Sequence, residues 1–91
     1  MQVSYAPAFL RLLGKLDAPV KASVKQAVGR VIDFYEGGNK ATGLGVKRLR
    51  GNLWEARAGL HVRILYSLSS DRLRFILAGN HDDVPQFLKE N

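Results

Sequence analysis

The chain has 91 residues, of which 46% are hydrophobic and 24% are charged. A chain of this length builds one hydrophobic core, so we expect a single domain over residues 1–91. The composition is too apolar for a disordered protein, and no apolar run is long enough to span a bilayer.

Charge and residue types narrow the classes of partner. The net charge of +6 suits a polyanionic partner or an acidic protein. The chain has no cysteine and 2 histidines, so we expect no metal site, because structural zinc needs several thiolate or imidazole ligands. We expect no cofactor either. The N-terminus lacks the pattern of a signal peptide, which predicts a cytoplasmic location.

The N-terminal part predicts one short strand and two helices. Gln2 to Tyr5 contains Val and Tyr and predicts a brief strand, and Pro7 fits the first turn of a helix. Pro19 ends that helix and can open the next one, in which apolar residues recur at helical spacing. The apolar residues of this second helix are Val20, Val24, Ala27, Val28, Val31, Ile32 and Tyr35.

A glycine-rich, basic segment follows the second helix. Gly37 to Gly51 has too many glycines for regular structure, so we expect a mobile connection there. Between Gly37 and Tyr66 stand 6 Lys and Arg residues and 1 acidic residue, Glu55. The basic character of the chain is therefore concentrated in its middle.

The remaining segments predict an antiparallel meander and a last helix. The three strands run from Leu53 to Ala58, from Leu60 to Leu68 and from Arg72 to Ala78. Asp83, followed three residues later by Gln86, fits a capping box for the last helix. The order β-α-α-β-β-β-α predicts an α+β fold, with two N-terminal helices packed on one face of a small, mainly antiparallel sheet.

Alternation along these strands assigns each side chain to one of two faces. The face toward the helices should hold the apolar residues Trp54, Ala56, Ala58, Leu60, Val62, Ile64, Tyr66, Leu68, Leu73, Phe75 and Leu77. The outer face then gathers Glu55, Arg57, His61, Arg63, Arg72 and Arg74. These polar residues could simply form the solvent-exposed side of the sheet, without any role in binding. However, cations around a single glutamate repel one another across neighbouring strands, and a bound phosphate would relieve that repulsion.

Short motifs recur through the second half of the chain. They are Leu49-x-Gly51, Trp54-x-x-Arg57, Arg63-Ile64-Leu65-Tyr66 and Gly79-Asn80-His81. In this order and near this spacing they resemble the RelE/ParE superfamily of toxins from bacterial toxin–antitoxin modules. The predicted order of strands and helices agrees with that family, so the resemblance covers nearly the whole chain.

The resemblance to the RelE-like branch implies a metal-independent endoribonuclease, an mRNA interferase that cuts message at the ribosomal A site and inhibits translation. The implied partners are mRNA, the ribosome and a cognate antitoxin. Arg63 would hold the scissile phosphate with Arg57 as a second cation, and His81 would be the general acid. Glu55 and His61 are both candidates for the base. Further contacts to RNA are expected from Lys47, Arg48, Arg50, Arg72, Arg74 and Phe87.

Two other functions fit the same fold. A ParE-like inhibitor of DNA gyrase would need no ribonuclease chemistry. The His-Asp-Asp ending also resembles RelE-like domains appended to helicase-type proteins, which would make this chain a non-toxic interaction domain. The presence of Arg57, Arg63 and His81 favours the ribonuclease, although Arg57 could simply pair with Glu55, and His81 could belong to a turn.

Overall fold

The computed structural model describes residues 1–38, 43–80 and 82–90. The elements in chain order are β1 (Gln2–Tyr5), α1 (Pro7–Lys15), α2 (Ala18–Gly37), β2 (Lys47–Arg50), β3 (Leu53–Arg57), β4 (Val62–Ser69), β5 (Arg72–Asn80) and α3 (Asp83–Glu90). Within these ranges the strands form one 5-stranded sheet in the order β1-β5-β4-β3-β2. β1 is parallel to β5, and the other neighbours are antiparallel. The predicted α+β fold is confirmed.

Proline and glycine set the limits of the first two helices. Pro7 and Pro19 each stand in the first turn of a helix, where a missing amide costs no hydrogen bond. Gly38 follows α2 with a φ of 68°, a left-handed conformation that glycine adopts at little cost. No helix in the described ranges has both the length and the apolar character needed to cross a membrane.

The core lies between the helices and one face of the sheet. Its largest fully buried side chains are Phe9, Leu44, Ile64, Tyr66, Leu73 and Phe75. The hydroxyl oxygens of Tyr35 and Tyr66 are 2.8 Å apart, so the buried phenol has a hydrogen-bond partner. Burial, together with this bond, raises the pKa of Tyr66 above its ordinary value. Along α2, the buried residues belong to the predicted apolar stripe.

A strand occupies part of the segment predicted to be a mobile connection. β2 pairs with β3, and Lys47 lies opposite Glu55. The prediction was wrong for this part because the described glycines flank the strand at Gly45 and Gly51 and leave four consecutive residues able to pair. Residues 39–42 of the predicted connection lie outside the described residues.

A β-bulge changes the face of the last residues of β5. Leu65 lies opposite Leu77, and its neighbour along β4 lies opposite Phe75, so Ile76 has no partner on β4. Ala78 therefore enters the core, and Leu77 lies on the other face of the sheet. The prediction of Leu77 as a core residue was wrong, because one inserted residue inverts the alternation beyond it.

The turn between β3 and β4 is longer than predicted. β4 begins at Val62, and residues 58–61 form a bend. Leu60, predicted to be buried, is 85% exposed, and His61 also lies in the bend and not on a strand. Alternation does not apply to residues outside a strand, so both placements were wrong.

The third helix lies against the outer face, the face of the sheet directed away from α1 and α2. Leu65 on β4 and Val84 on α3 are fully buried, yet neither belongs to the core between the helices and the sheet. Arg50 Nη2 donates to the Leu88 carbonyl oxygen at 3.0 Å, which ties the end of α3 to β2. The outer face therefore carries a small second apolar layer beside its charged residues.

Candidate active site

Three charged residues share the outer face of the β3–β4 pair. Arg57 lies directly opposite Arg63, and Glu55 precedes Arg57 on the same face of β3. The distance from Arg63 Nε to Glu55 Oε1 is 3.8 Å, and these two side chains are 21% and 18% exposed. We call these three residues the arginine cluster. It unites three of the residues predicted to be catalytic.

The guanidinium group of Arg63 is only partly satisfied by its surroundings. Its Nη1 atom is buried and has no hydrogen-bond partner in the described part of the chain. The 3.8 Å separation from Glu55 is an ion pair too long for a good hydrogen bond. A buried donor without an acceptor costs about 1–3 kcal/mol. The side chain as a whole is 21% exposed, so the accessible part of its planar guanidinium fork can donate to an incoming oxyanion.

Positive charge exceeds negative charge around the cluster. Arg57 and Arg63 face each other across two strands, an arrangement that destabilises a sheet. Lys47 lies opposite Glu55, so one glutamate stands among three cations. An ion pair near solvent contributes at most about 1 kcal/mol, and Glu55 offsets only part of the repulsion. A bound polyanion would offset more of it.

A hydrogen-bonded turn follows Gly79, the residue opposite Arg63. The side-chain oxygen of Asn80 accepts the amides of Asp82 and Asp83 at 2.9 and 3.1 Å. Asp83 Oδ2 in turn accepts the Asn80 amide at 2.8 Å. These reciprocal bonds are a capping box, which we call the Asn80–Asp83 box.

The capping box lies three residues before the predicted pair of Asp83 and Gln86. An N-cap residue has extended dihedral angles, as Asn80 has at the end of β5, whereas Asp83 is already helical. The prediction of Asp83 and Gln86 was wrong. Both this pair and the pair of Asn80 and Asp83 have the spacing of a capping box, and the hydrogen bonds form in the second pair. Sequence reasoning missed the pairing of Asn80 with Asp83, although their Asn-x-x-Asp spacing is a signal for it.

Gly79 lies directly beneath the side chain of Asp83. A Cβ atom at this position would meet Cβ and Cγ of Asp83 at 2.9 Å. We expect Gly79→Ala to lower the free energy of unfolding by about 1–3 kcal/mol, because the added methyl group displaces Asp83 and opens the box. Chemical denaturation measures the change. Gly14→Ala is the matched control, since a Cβ there meets nothing within 4 Å; equal stability changes in the two variants would contradict the expectation.

The two histidines differ in what the structure says of them. His81, the predicted general acid, lies outside the described residues, between two residues of the Asn80–Asp83 box. His61 is exposed and lines a small cavity with Val20 and Ser23 of α2. Of the two residues predicted as a base, the structure thus brings Glu55 to Arg63 and leaves His61 near α2.

The three predicted RNA-binding residues of β2 lie in different surroundings. Lys47 lies beside the arginine cluster. Arg48 lies opposite Trp54, which packs against the core, so the two residues share the face toward the helices. Arg50 donates to the carbonyl oxygen of Leu88. Of the three, only Lys47 is next to the cluster.

The other predicted RNA-binding residues lie away from the cluster. Arg72 and Arg74 are at the far end of β5, and Arg74 lies opposite Ser67. Ser67 is four residues from Arg63 along β4, or roughly 13 Å at the rise of a strand. Phe87 is half-buried and lines an apolar cavity between α1, β5 and α3. This cavity is typical of packing between elements.

The fold and the cluster together define a class of protein, a small α+β domain that presents basic side chains on the outer face of its sheet. No family model matches the chain, and no curated protein is significantly similar to it. Solved structures match over most of their length. A chain of the archaeal RelE–RelB complex from Pyrococcus horikoshii is 20% identical, with a TM-score of 0.67, and the match covers 87% of this chain and 92% of that one.

Two further structures show the same likeness. A chain of the DinJ–YafQ complex from E. coli is 17% identical, with a TM-score of 0.70, over 91% of this chain and 96% of that one. The YoeB/ParE toxin from Agrobacterium tumefaciens is 16% identical, with a TM-score of 0.66, over 89% of this chain and 99% of that one. The chain therefore has the RelE-like toxin fold, and the predicted resemblance is confirmed at the level of the fold.

Proposed function

We propose that this protein is the toxin of a toxin–antitoxin module and that it cleaves mRNA at the arginine cluster. The observation that carries the proposal is the pairing of Arg57 with Arg63 across two strands, with the Arg63 side chain 21% exposed beside Glu55. A phosphodiester oxygen would accept from a guanidinium group there and offset the charge of the two arginines. The likeness of the fold to toxins such as RelE and YoeB/ParE supports the wider assignment.

The reaction needs a base, a group that neutralises charge on the phosphate and an acid. In the proposed mechanism Glu55 takes the proton of the ribose 2′-hydroxyl, whose oxygen then attacks phosphorus. Arg63 donates to a phosphoryl oxygen, and Arg57 adds its charge from the facing strand. His81 protonates the leaving 5′-oxygen. The O2′–P bond forms and the P–O5′ bond breaks, which yields a 2′,3′-cyclic phosphate and a 5′-hydroxyl without a metal ion.

The proposed substrate is message in the ribosomal A site, in the cytoplasm. The resemblance of the motifs to the RelE-like branch supports this site. The net charge of +6 also suits a surface rich in RNA phosphates, whose contacts with Lys and Arg release counterions. We expect purified protein to cut message faster when ribosomes are present.

Induced expression in a bacterial host tests the proposal. We expect the wild type to arrest growth and to leave cuts in translated message. Growth arrest with intact message and with DNA damage would favour gyrase inhibition in place of the ribonuclease. Expression without any arrest would indicate a non-toxic interaction domain. The decisive active-site variants are Arg63→Ala and His81→Ala, each checked for folding by circular dichroism.

The proposed partner is a cognate antitoxin, and an apolar groove between β1, α1 and α2 offers it a surface. The groove has a volume of about 400 Å³, and its lining includes Tyr5, Leu10, Val28 and Ile32. Tyr5 and Leu10 are 39% and 53% exposed. The RelB–RelE and DinJ–YafQ structures are toxin–antitoxin complexes, which supports such a partner. An acidic, amphipathic segment would cover the groove and offset the positive charge of the chain.

Leu10→Glu is expected to weaken neutralisation by the antitoxin and to leave toxicity unchanged. The substitution places a carboxylate in the apolar groove, and the loss of one well-packed apolar anchor weakens a complex by about tenfold or more. Co-expression with the protein encoded by the neighbouring gene measures the effect. Arg11→Gln, which changes the net charge equally from an exposed position of α1, is the control. If the antitoxin fully neutralises the Leu10→Glu variant, the groove is not part of the interface.

A further inference from the structure

β1 forms one edge of the sheet, and in the described ranges no strand pairs with the side of β1 that faces away from β5. The amides of Gln2 and Ala6 donate toward β5, each at 2.8 Å. Because successive peptide groups of a strand point to opposite sides, the N–H and C=O groups of Val3 and Tyr5 point outward from the sheet. These main-chain groups can pair with a strand from another molecule.

The two edges of the sheet differ in how they are protected. β2, the other edge, carries Lys47, Arg48 and Arg50, and its register with β3 is irregular between Arg48 and Arg50. Charges and bulges of this kind keep other strands from pairing with an edge. β1 has the sequence Gln-Val-Ser-Tyr, which contains neither charge nor proline, and its register with β5 is regular. β1 is therefore the edge to which a strand can be added.

On the outer face of the sheet, positive charge extends to this edge. Arg74 lies opposite Ser4, and its Nη1 atom donates to the Ser4 hydroxyl oxygen at 3.3 Å, so the guanidinium group reaches over β1. Arg72 lies opposite Gln2. No carboxylate in the described part of the chain forms an ion pair with either arginine, and the neighbouring Asp71 pairs with the N-terminal amino group at 3.4 Å. A carboxylate on an added strand would pair with these arginines.

On the side of the helices, the same edge is apolar. Tyr5 is 39% exposed and lines the groove between β1, α1 and α2 together with Leu10 and Ile32. Val3 packs against the core from the same face of β1. An added strand would thus have apolar groups beside one face and cations beside the other. Because side chains alternate between the two faces of a strand, the edge suits a segment in which apolar and acidic residues alternate.

We infer that the free edge of β1 binds an extended segment of the antitoxin, in which apolar and acidic residues alternate. Main-chain hydrogen bonds provide the pairing, and the groove and the two arginines select the side chains. The groove supports this occupant, because a segment that passes Tyr5 enters the groove directly. Arg72 and Arg74, predicted to contact RNA, then contact the antitoxin. The inference rests on the proposed function, since that function names the antitoxin as the partner.

Amide hydrogen exchange tests the addition of a strand. The probe is the protein encoded by the neighbouring gene, and NMR follows exchange in the free protein and in the complex. At a partner concentration of about 100 times Kd, we expect the Val3 and Tyr5 amides to exchange about 100-fold more slowly than in the free protein. The Ser4 amide faces β5 and is the internal control, since its exchange should already be slow in the free protein.

Val3→Pro removes an outward N–H group and leaves the amides that face β5 in place. We expect it to weaken the complex by about tenfold, because one main-chain hydrogen bond is lost and its acceptor is left unpaired. Proline is tolerated on an edge strand. Val3→Ala is the matched control, since it also changes the side chain but keeps the N–H group, and it should bind the partner more tightly than Val3→Pro. Equal unfolding temperatures of the two variants would show that the fold does not cause the difference.

The double variant Arg72→Gln with Arg74→Gln tests the charge of the segment. We expect it to weaken the complex by about tenfold and to make the affinity less dependent on salt, because charge-assisted hydrogen bonds are lost. Arg11→Gln with Lys15→Gln removes the same charge from exposed positions of α1 and should keep the affinity within about twofold of the wild type. Cleavage of message by both double variants should match that of the wild type.

Other results separate this inference from the proposed function. If the Val3 and Tyr5 amides exchange equally fast in the free protein and in the complex, strand addition is refuted, while the groove and the ribonuclease are still judged by Leu10→Glu and Arg63→Ala. If these amides are protected in a dimer of the free protein, a second copy is the occupant and the inference fails.

Two further outcomes concern the ligand of the arginines. If the double variant of Arg72 and Arg74 loses affinity for a 2′-O-methyl RNA but not for the antitoxin, RNA is their ligand and the acidic segment is refuted. If the wild type neither arrests growth nor binds the protein encoded by the neighbouring gene, the proposed function and this inference both fail.

Discussion

Arg63→Ala is expected to reduce the rate of RNA cleavage by about 100- to 1,000-fold, the usual effect of removing a preorganised donor to a developing oxyanion. The stability of the fold should change by less than about 1 kcal/mol, because two effects oppose each other. The substitution removes the ion pair with Glu55, whose atoms are 3.8 Å apart. It also removes a buried donor that has no acceptor in the described structure.

The cleavage rate is measured on translated message with purified protein, and the free energy of unfolding by chemical denaturation. Arg63→Lys keeps the charge but loses the bidentate fork, so its activity should lie between those of the wild type and Arg63→Ala. Arg11→Ala removes an exposed arginine from α1 and should cleave like the wild type. Wild-type cleavage by Arg63→Ala would exclude Arg63 from the reaction, and a large loss of stability would assign it a structural role.

Phe75→Ala is expected to lower the free energy of unfolding by about 3–5 kcal/mol, the cost of a large cavity in a packed core. Phe75 is fully buried. Its ring centroid lies 5.5 to 6.0 Å from those of Tyr5, Phe9 and Tyr66. The ring thus joins β1, α1 and β4 to β5. Because a small domain has a total stability of about 5–15 kcal/mol, the variant loses a large part of it.

Leu60→Ala is the control for this variant. It also truncates an apolar side chain to alanine, but Leu60 is 85% exposed, so its stability should stay within about 0.5 kcal/mol of the wild type. Denaturant unfolding of both variants under the same conditions gives the comparison. A loss at Leu60 as large as that at Phe75 would place Leu60 in the core, and a negligible loss at Phe75 would mean that its ring contacts do not stabilise the fold.

The helices and the buried face of β4 could be predicted from the residues alone. Pro7 and Pro19 restrict the backbone where they stand, and the apolar spacing along α2 follows from the geometry of one helix. The shared face of Arg57 and Arg63 follows in the same way, because alternation within each strand places both on the outer face. These properties depend on neighbours in the chain, which a sequence displays directly.

The pairing of the strands could not be predicted in the same way. β2 is a strand because β3 supplies its hydrogen-bond partners, and nothing in its four residues alone required a strand. The bulge at Ile76 arises from the fit of β5 to β4, and it decides that Ala78 and not Leu77 enters the core. Such choices belong to pairs of strands and are absent from either strand alone.

Sequence reasoning found the charged outer face, and the tertiary structure selected the candidate site within it. The register of the strands places Arg63 beside Glu55 and opposite Gly79. The same register places Arg74 at the far end of the sheet. Local rules state which face a side chain takes. The distances between side chains and their burial come from contacts between residues far apart in the sequence, and only folding brings those residues together.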